Sequence, residues 1–453
     1  MQNPLLRLIL LIVVVLQSTD IMCQIQPEGF VETQIADSLN PTSIVVDHHN
    51  RVWVAEKNGV VRIYNETGQE NQDPVLILDV DDFNERGLEG IALHPDFDNE
   101  PYLYVYYTVP ELDHNRVSRF LINRDLVAPD SEEILLELDS LIGTVHNGGA
   151  MLFDEAQFLF ISTGDGARPF QAQSMSNTLG KVLRVNADGS IPMSNPFYFD
   201  NEGIYRAIYA TGLRNPFSLT YDPIAEQLFC TDVGQDDFEE INLLLPGKNY
   251  GWPFIEGPIG GQTPPLNYAD PIFSYDHDYG CAAVGLNLYR PESSNFPTEY
   301  QGKLFSSDYC NGQILIIDPF NSEVIDTFAK NIERPLKIET DQLNGNMYYL
   351  ARAGIGGGSP QDNSQSNAGS LWKIEYTGSG IPSISSPPQS TLAAENEFPT
   401  FQVRANGTRP LRFDWYVSDT LFASDVDSLT LGPTRLAQHQ TTIYVIAHNA
   451  FGA

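Results

Sequence analysis

From residue 43 to residue 376 the chain is built of short apolar runs, four to seven residues long, separated by Gly, Pro, Asn and Asp. Runs of that length bounded by turn-forming residues read as β-strands. No stretch of the mature chain longer than about ten residues keeps a helical period. The runs group into a three-strand phrase that occurs six times: 43–47, 52–55 and 60–64; 88–94, 102–108 and 117–122; 150–154, 158–162 and 182–185; 217–222, 227–231 and 240–245; 284–289, 303–306 and 313–317; and 336–341, 347–351 and 371–376. A repeated unit that cannot bury its own apolar face stacks on its neighbours. The pattern therefore predicts an all-β chain with a six-bladed β-propeller over residues 24–376. A β-sandwich is the alternative, and it would have no reason to repeat one phrase six times.

Two other segments stand apart. Residues 354–370, rich in Gly, Ser and Asn, read as a loop within the last unit, and no helix follows to make Gly354–Gly358 a dinucleotide fingerprint. Residues 377–390 read as a linker, and the alternating runs 398–403, 411–416 and 442–448 predict an immunoglobulin-like accessory sandwich over 391–453, cut short before its last strand.

The first two strands of each phrase form an antiparallel hairpin, so the residues before the first strand and after the second share one rim. That rim collects Asn40, Glu56 and Lys57; Glu85, Arg86 and Thr108; His146 with Asp165; Arg214 and Asn215 with Asp232; Cys281 with Cys310; and Arg334 with Arg352. Polar groups converging on one mouth describe a binding site. An imidazole beside a carboxylate is an oriented base, which points to catalysis; a backbone-capping histidine is the alternative for His146. Arg214 reads equally as a site residue or as a partner for Asp232.

Composition narrows the partners. The chain has 25 Lys and Arg against 59 Asp and Glu, a formal net charge of −34. That field repels nucleic acid and anionic membranes. Arg7 followed by the apolar run 8–16 and the polar residues 17–20 reads as a secretory leader over residues 1–23, too short for a membrane span and consistent with a secreted or periplasmic protein. Cys281 and Cys310 border strands of the fifth unit on one rim and are expected to form a disulfide, leaving Cys230 as a buried thiol.

Several local motifs occur together: Arg86-Gly87-Leu88 with Leu93-His94-Pro95-Asp96-Phe97, Gly164-Asp165, Gly212-Leu213-Arg214-Asn215-Pro216, Glu240-Ile241-Asn242, and Asn249-Tyr250-Gly251-Trp252-Pro253. In these the chain resembles the glucose/sorbosone dehydrogenase family, the soluble quinoprotein propellers, over residues 30–376. The resemblance implies pyrroloquinoline quinone and calcium as cofactors and an aldose or related sugar as substrate. It implies His146 as the base, Asp165 as its orienting group and Arg214 as the group polarising the quinone. Asn215 and Arg334 would hold the cofactor and Glu85 and Arg86 would face the sugar. Gly234 and Gln235 would bind the cofactor's calcium through their carbonyls, and Glu240 with the Tyr250 carbonyl would bind a structural ion. A solvated acidic loop is the alternative for Asp236 and Asp237.

The chain also departs from the quinoprotein pattern. Glu85 stands in place of a Gln, Cys310 or Asn311 in place of a cofactor-binding Lys, Arg334 alone in place of an arginine pair, and 278–283 in place of a Trp-containing stacking loop. These departures are similar to the hedgehog-interacting-protein branch. They keep open a second reading, a non-catalytic propeller that binds a glycan or a protein through the same rim.

Overall fold

The computed structural model of the chain describes residues 27–453 apart from 28, 72, 322, 354–366, 379, 408–410, 436–440, 450 and 451. The expected leader and most of the Gly-rich loop lie outside the described residues. Strands dominate, and the only helical elements among the described residues are three short 3-10 turns.

Six sheets follow one another along the chain, each beginning with the three strands of one sequence phrase. They start with Pro41–Val46, Leu88–Leu93, Gly148–Phe153, Pro216–Asp222, Ala283–Leu288 and Pro335–Thr340. Each of these inner strands packs against the inner strand of the next sheet, and the sixth packs against the first, closing a ring. The interfaces between sheets are apolar: Trp53, Leu88, Leu103 and Val105 fill one, and Phe229, Leu286, Leu304 and Leu315 another.

Each sheet also has an outer strand that the apolar pattern does not mark. Leu76–Ile77, Glu133–Ser140, Ile208–Thr211, Phe273–Asp276 and Glu323–Ala329 complete the first five. The sixth is completed by the N-terminal strand Phe30–Leu39, which runs antiparallel to Gly369–Tyr376 from Phe30↔Tyr376 to Leu39↔Gly369. The last sheet is thus built from both ends of the ring, which ties the closure together non-locally.

The six inner hairpins share one irregularity. Just inside the rim the register slips after Pro41↔Glu56, Leu88↔Tyr107, Gly148↔Thr163, Pro216↔Asp232, Ala283↔Asp308 and Pro335↔Ala351. A bulge leaves extra backbone groups unpaired and re-aims the chain. In three sheets an acid at the end of the second strand caps the backbone N–H groups just before the first strand. Glu56 accepts the Asn40 N–H at 3.0 Å. Asp232 accepts those of Arg214 and Asn215 at 2.9 and 2.6 Å. Asp308 accepts those of Cys281 and Ala282 at 3.0 and 3.2 Å. Carboxylate-to-amide bonds of this kind are charge-assisted and hold the rim backbone firmly.

Cys281 and Cys310 form the expected disulfide, with Cα atoms 5.7 Å apart, and Cys230 is a buried free thiol. Beyond the ring, Ser383–Ser386 pairs with Arg404–Asn406 and Thr400–Gln402 with Ser428–Thr430, while Arg412–Val417 lies between Thr420–Ser424 and Ile443–His448. These strands enclose a small core around the fully buried Trp415, with Phe401, Val403 and Leu429.

Candidate functional site

The third sheet breaks the rim's capping pattern. Thr163 stands at the end of its second strand, and the acid comes two residues later as Asp165. Its oxygens receive more than backbone donors. His146 Nδ1 lies 2.8 Å from Asp165 Oδ1, which also accepts the Ala167 N–H at 2.8 Å, and the Trp252 indole N–H donates to Oδ2 at 2.9 Å. Asp165 is fully buried. A buried carboxylate with three donors is fixed in place.

His146 is equally constrained. Its N–H donates to Glu85 Oε2 at 2.7 Å and its carbonyl accepts the Gly166 N–H at 3.1 Å. It sits at φ 58°, a left-handed conformation that costs a non-glycine residue of order 1 kcal/mol and persists where surroundings dictate it. Residue 164 must be glycine, because a Cβ there would come within 1.9 Å of the His146 carbonyl oxygen. With the Nδ1 hydrogen directed at Asp165, the lone pair is on Nε2, and the side chain keeps 19 % of its surface open. The imidazole bonds a side-chain carboxylate, while the His146 backbone makes the capping bonds.

Trp252, quoted in the sequence only as part of a motif, carries two functions here. Its indole anchors Asp165, and the Arg214 guanidinium lies over its ring, 5.5 Å from the centroid. Arg214 does not pair its side chain with Asp232, since Asp232 takes the backbone N–H groups. The guanidinium donates from Nη1 to the Val233 carbonyl at 2.9 Å, and its buried Nε has no partner. Asn215 is buried and accepts the Gly148 N–H at 3.1 Å, linking the fourth sheet to the strand that follows His146.

Cations are better supplied than the sequence suggested. The Arg352 N–H donates to the Arg334 carbonyl at 3.0 Å, so the two rim arginines adjoin, both buried. Lys57 is fully buried, donates to the Asp82 and Arg86 carbonyls, and interacts electrostatically with Arg352 and Glu89. Burial lowers the Lys57 pKa. With Arg214, these give the rim three guanidinium groups, with the tethered Lys57 ammonium adding positive field, an arrangement suited to a multiply carboxylated ligand.

Glu85 and Arg86, the expected sugar contacts, also hold the rim backbone. One Glu85 oxygen holds the His146 backbone. The Arg86 guanidinium bonds Asp81 and Asp113 at 2.6 and 2.8 Å and the Gly143 carbonyl at 3.1 Å, which makes it a clamp on the rim loops.

The acidic loop is organised around a residue missed in the sequence. Glu256 Oε1 accepts the N–H groups of Gln235, Asp236, Asp237 and Phe238, at 2.6 to 3.3 Å, and the Gly234 N–H turns to Glu239. Such successive amides form an anion-holding nest, which fixes residues 234–238. Nearby, Glu240 is buried, accepting the Gly257 N–H at 2.7 Å and the Asn242 side-chain amide at 3.0 Å. Asn242 Oδ1 is buried without a partner. Burial holds both carboxyls above their ordinary range, with the Asp232 charge adding to it at Glu240 and the Asp165 charge at Asp232. Two crowded carboxyls beside an orphaned amide oxygen suit a hard cation. Among the described residues no group of three or more His, Cys, Asp or Glu is arranged for a metal, so such a cation would also need carbonyl ligands. The Tyr250 hydroxyl is occupied by Leu243 and Leu245, leaving only its carbonyl for that purpose.

A cavity of about 810 Å³ opens at the opposite end of the ring, lined by Leu93, Leu152, Tyr221, Lys337 and Glu339. It contains none of His146, Asp165 or Arg214, and the candidate site is drawn from the chemistry of the rim rather than from volume.

A family model described as glucose/sorbosone dehydrogenase matches residues 39–352. The chain is 31 % identical over 262 residues to quinoprotein glucose dehydrogenase B of Acinetobacter calcoaceticus, covering 51 % of this chain and 54 % of that one. It is 28 % identical over 259 residues to the hedgehog-interacting protein of Homo sapiens, covering 48 % and 37 %. It thus spans about half of the first relative and little more than a third of the second. The apo form of the soluble aldose sugar dehydrogenase of Escherichia coli shares the fold with a TM-score of 0.65 at 23 % identity, over 77 % of this chain and 99 % of that one. On these motifs, this ring and the match over most of its length, the chain belongs to the glucose/sorbosone dehydrogenase family.

Proposed function

We propose that the chain is an exported pyrroloquinoline-quinone-dependent dehydrogenase of an aldose or related sugar, built on a six-bladed propeller with a C-terminal immunoglobulin-like accessory module. The observation that carries this reading is the His146–Asp165–Trp252 chain, at the rim position where the first, fourth and fifth sheets have a backbone-capping acid. His146 Nε2 takes the proton from the sugar hydroxyl, and Asp165 fixes the tautomer and stabilises the imidazolium. Trp252 keeps Asp165 from turning to other donors. Arg214, Asn215, Arg334 and Arg352 bind the carboxylate- and carbonyl-rich cofactor, and the Gly234 and Gln235 carbonyls take its calcium. The quinone, when bound, supplies the hydride acceptor. Arg214 contributes fixed positive charge where the acceptor gains negative charge. Glu240, Asn242 and the Tyr250 carbonyl hold a second, structural calcium.

A non-catalytic propeller that binds a glycan or protein through the same rim is the second reading. It is favoured by the likeness to the human hedgehog-interacting protein and by the Glu85 carboxylate facing the His146 backbone. The two separate in one assay. Protein given the quinone and calcium should reduce a dye acceptor in the presence of aldoses, saturably in sugar. Quinone-loaded protein that passes no electrons from any aldose would favour the second reading.

A further inference from the structure

Beneath the rim lies a carboxyl that the proposed reaction does not use. Glu89 stands on the inner strand Leu88–Leu93, and its Oε1 is buried with no hydrogen-bond partner. The third sheet's inner strand, which follows His146, runs directly against it: a Cβ on Gly149 would come within 2.6 Å of the Glu89 Cβ. Around it are Lys57 from the first sheet, Lys337 and Arg352 from the sixth, Glu85 from the rim loop, and the Tyr106 hydroxyl of its own sheet. The lysines are tethered. Lys57 is held by the Asp82 and Arg86 carbonyls, and Lys337 by the Phe217 carbonyl and by Ser218 Oγ at 3.0 Å. Neither ammonium is free to swing away to a ligand, so the local charge balance is set by what else enters the cluster and by the proton on Glu89.

We propose that Glu89 is a built-in counter-anion of the rim's cation cluster, and that a carboxylate-bearing ligand binding there does so with uptake of a proton on Glu89. For the quinone as that ligand, the inference rests on the function proposed above. An ionised Glu89 and a ligand carboxylate draw on the same Lys57 and Arg352 field and repel each other. The cheapest relief is protonation of the carboxyl whose buried Oε1 has no hydrogen-bond donor. Burial already pushes Glu89 up to about 7, against the pull of Lys57, Arg352 and Lys337. A further negative charge raises it more, so the ligand-bound state holds the proton to higher pH than the free state does. By linkage, binding is tightest when Glu89 is neutral and weakens as pH rises through its free-state value.

The test is titration of the calcium-supplemented protein with pyrroloquinoline quinone from pH 6 to pH 8.5, by calorimetry in two buffers of different ionisation enthalpy. The wild type should weaken above neutrality, by up to about tenfold per pH unit, with uptake of up to one proton. Glu89→Gln should bind about tenfold more tightly at pH 8 and lose that uptake. Proton uptake that persists in Glu89→Gln, or a wild type that binds the quinone with none, overturns this inference while leaving the proposed function standing. Absence of quinone binding in both proteins overturns both. The wild-type measurement stands alone should the variant fail to fold.

Discussion

His146→Gln is expected to lower aldose turnover by about 10²–10⁴ while leaving quinone affinity within a few-fold of wild type. That range is the usual worth of a positioned general base. Glutamine can still donate toward Asp165 but cannot accept a proton, so the variant separates the base from the scaffold. Asp165→Asn should also cut turnover, because Asp165 receives the His146, Ala167 and Trp252 donors together and an amide cannot accept all three with both of its terminal atoms. Steady-state rates with quinone saturating, alongside a binding titration, read both quantities. A His146→Gln protein with unchanged turnover would mean that His146 is a rim scaffold and nothing more.

The second large effect concerns calcium and pH together. The Asp232 and Glu240 carboxyls are raised in the folded state, chiefly by burial. A raised folded-state pKa contributes stability that is fully present below the ordinary carboxylate range near pH 4 and is lost as pH rises through the folded value. Calcium-free protein should therefore lose thermal stability from about pH 5 to pH 8.5. A cation beside Glu240 and Asn242 reverses the sign of the local field and binds only the native state, so the gain in Tm from millimolar calcium should grow with pH. At roughly 2–4 °C per kcal/mol the gain should be readily measurable by calorimetry. Glu240→Gln should remove most of both effects. A Tm identical in chelator and in calcium at pH 8 would leave the loop a solvated acidic turn.

The inner three strands of every sheet were legible because each is a run of apolar residues closed by turn chemistry, as in Met347–Ala351 or Val60–Tyr64. The outer strands were not, for two physical reasons. Glu133–Ser140 is half polar because one face meets solvent, and Leu76–Ile77 is too short to carry a period. Phe30–Leu39 pairs with a strand more than three hundred residues away, and no local pattern encodes that. The site shows the same division. His146 and Asp165 lie across one hairpin, so spacing alone brought them together. Trp252 reaches Asp165 from 87 residues further on, and Glu256 reaches its four amides across about 20. Arg352 was counted on the rim, yet its adjacency to Arg334 became visible only with the sixth sheet in place. For Arg86 the resemblance implies a sugar contact, and its bonds to Asp81, Asp113 and Gly143 across the rim loops carried no signal in the sequence.

Cofactor uptake tests the central claim most directly. Purified protein in millimolar calcium, titrated with pyrroloquinoline quinone and followed by the absorbance of the quinone, should show one saturable equivalent per chain, weakened when Arg214 or Arg352 is replaced by Ala. No uptake at high micromolar quinone would contradict the enzyme reading and leave the rim as a recognition surface.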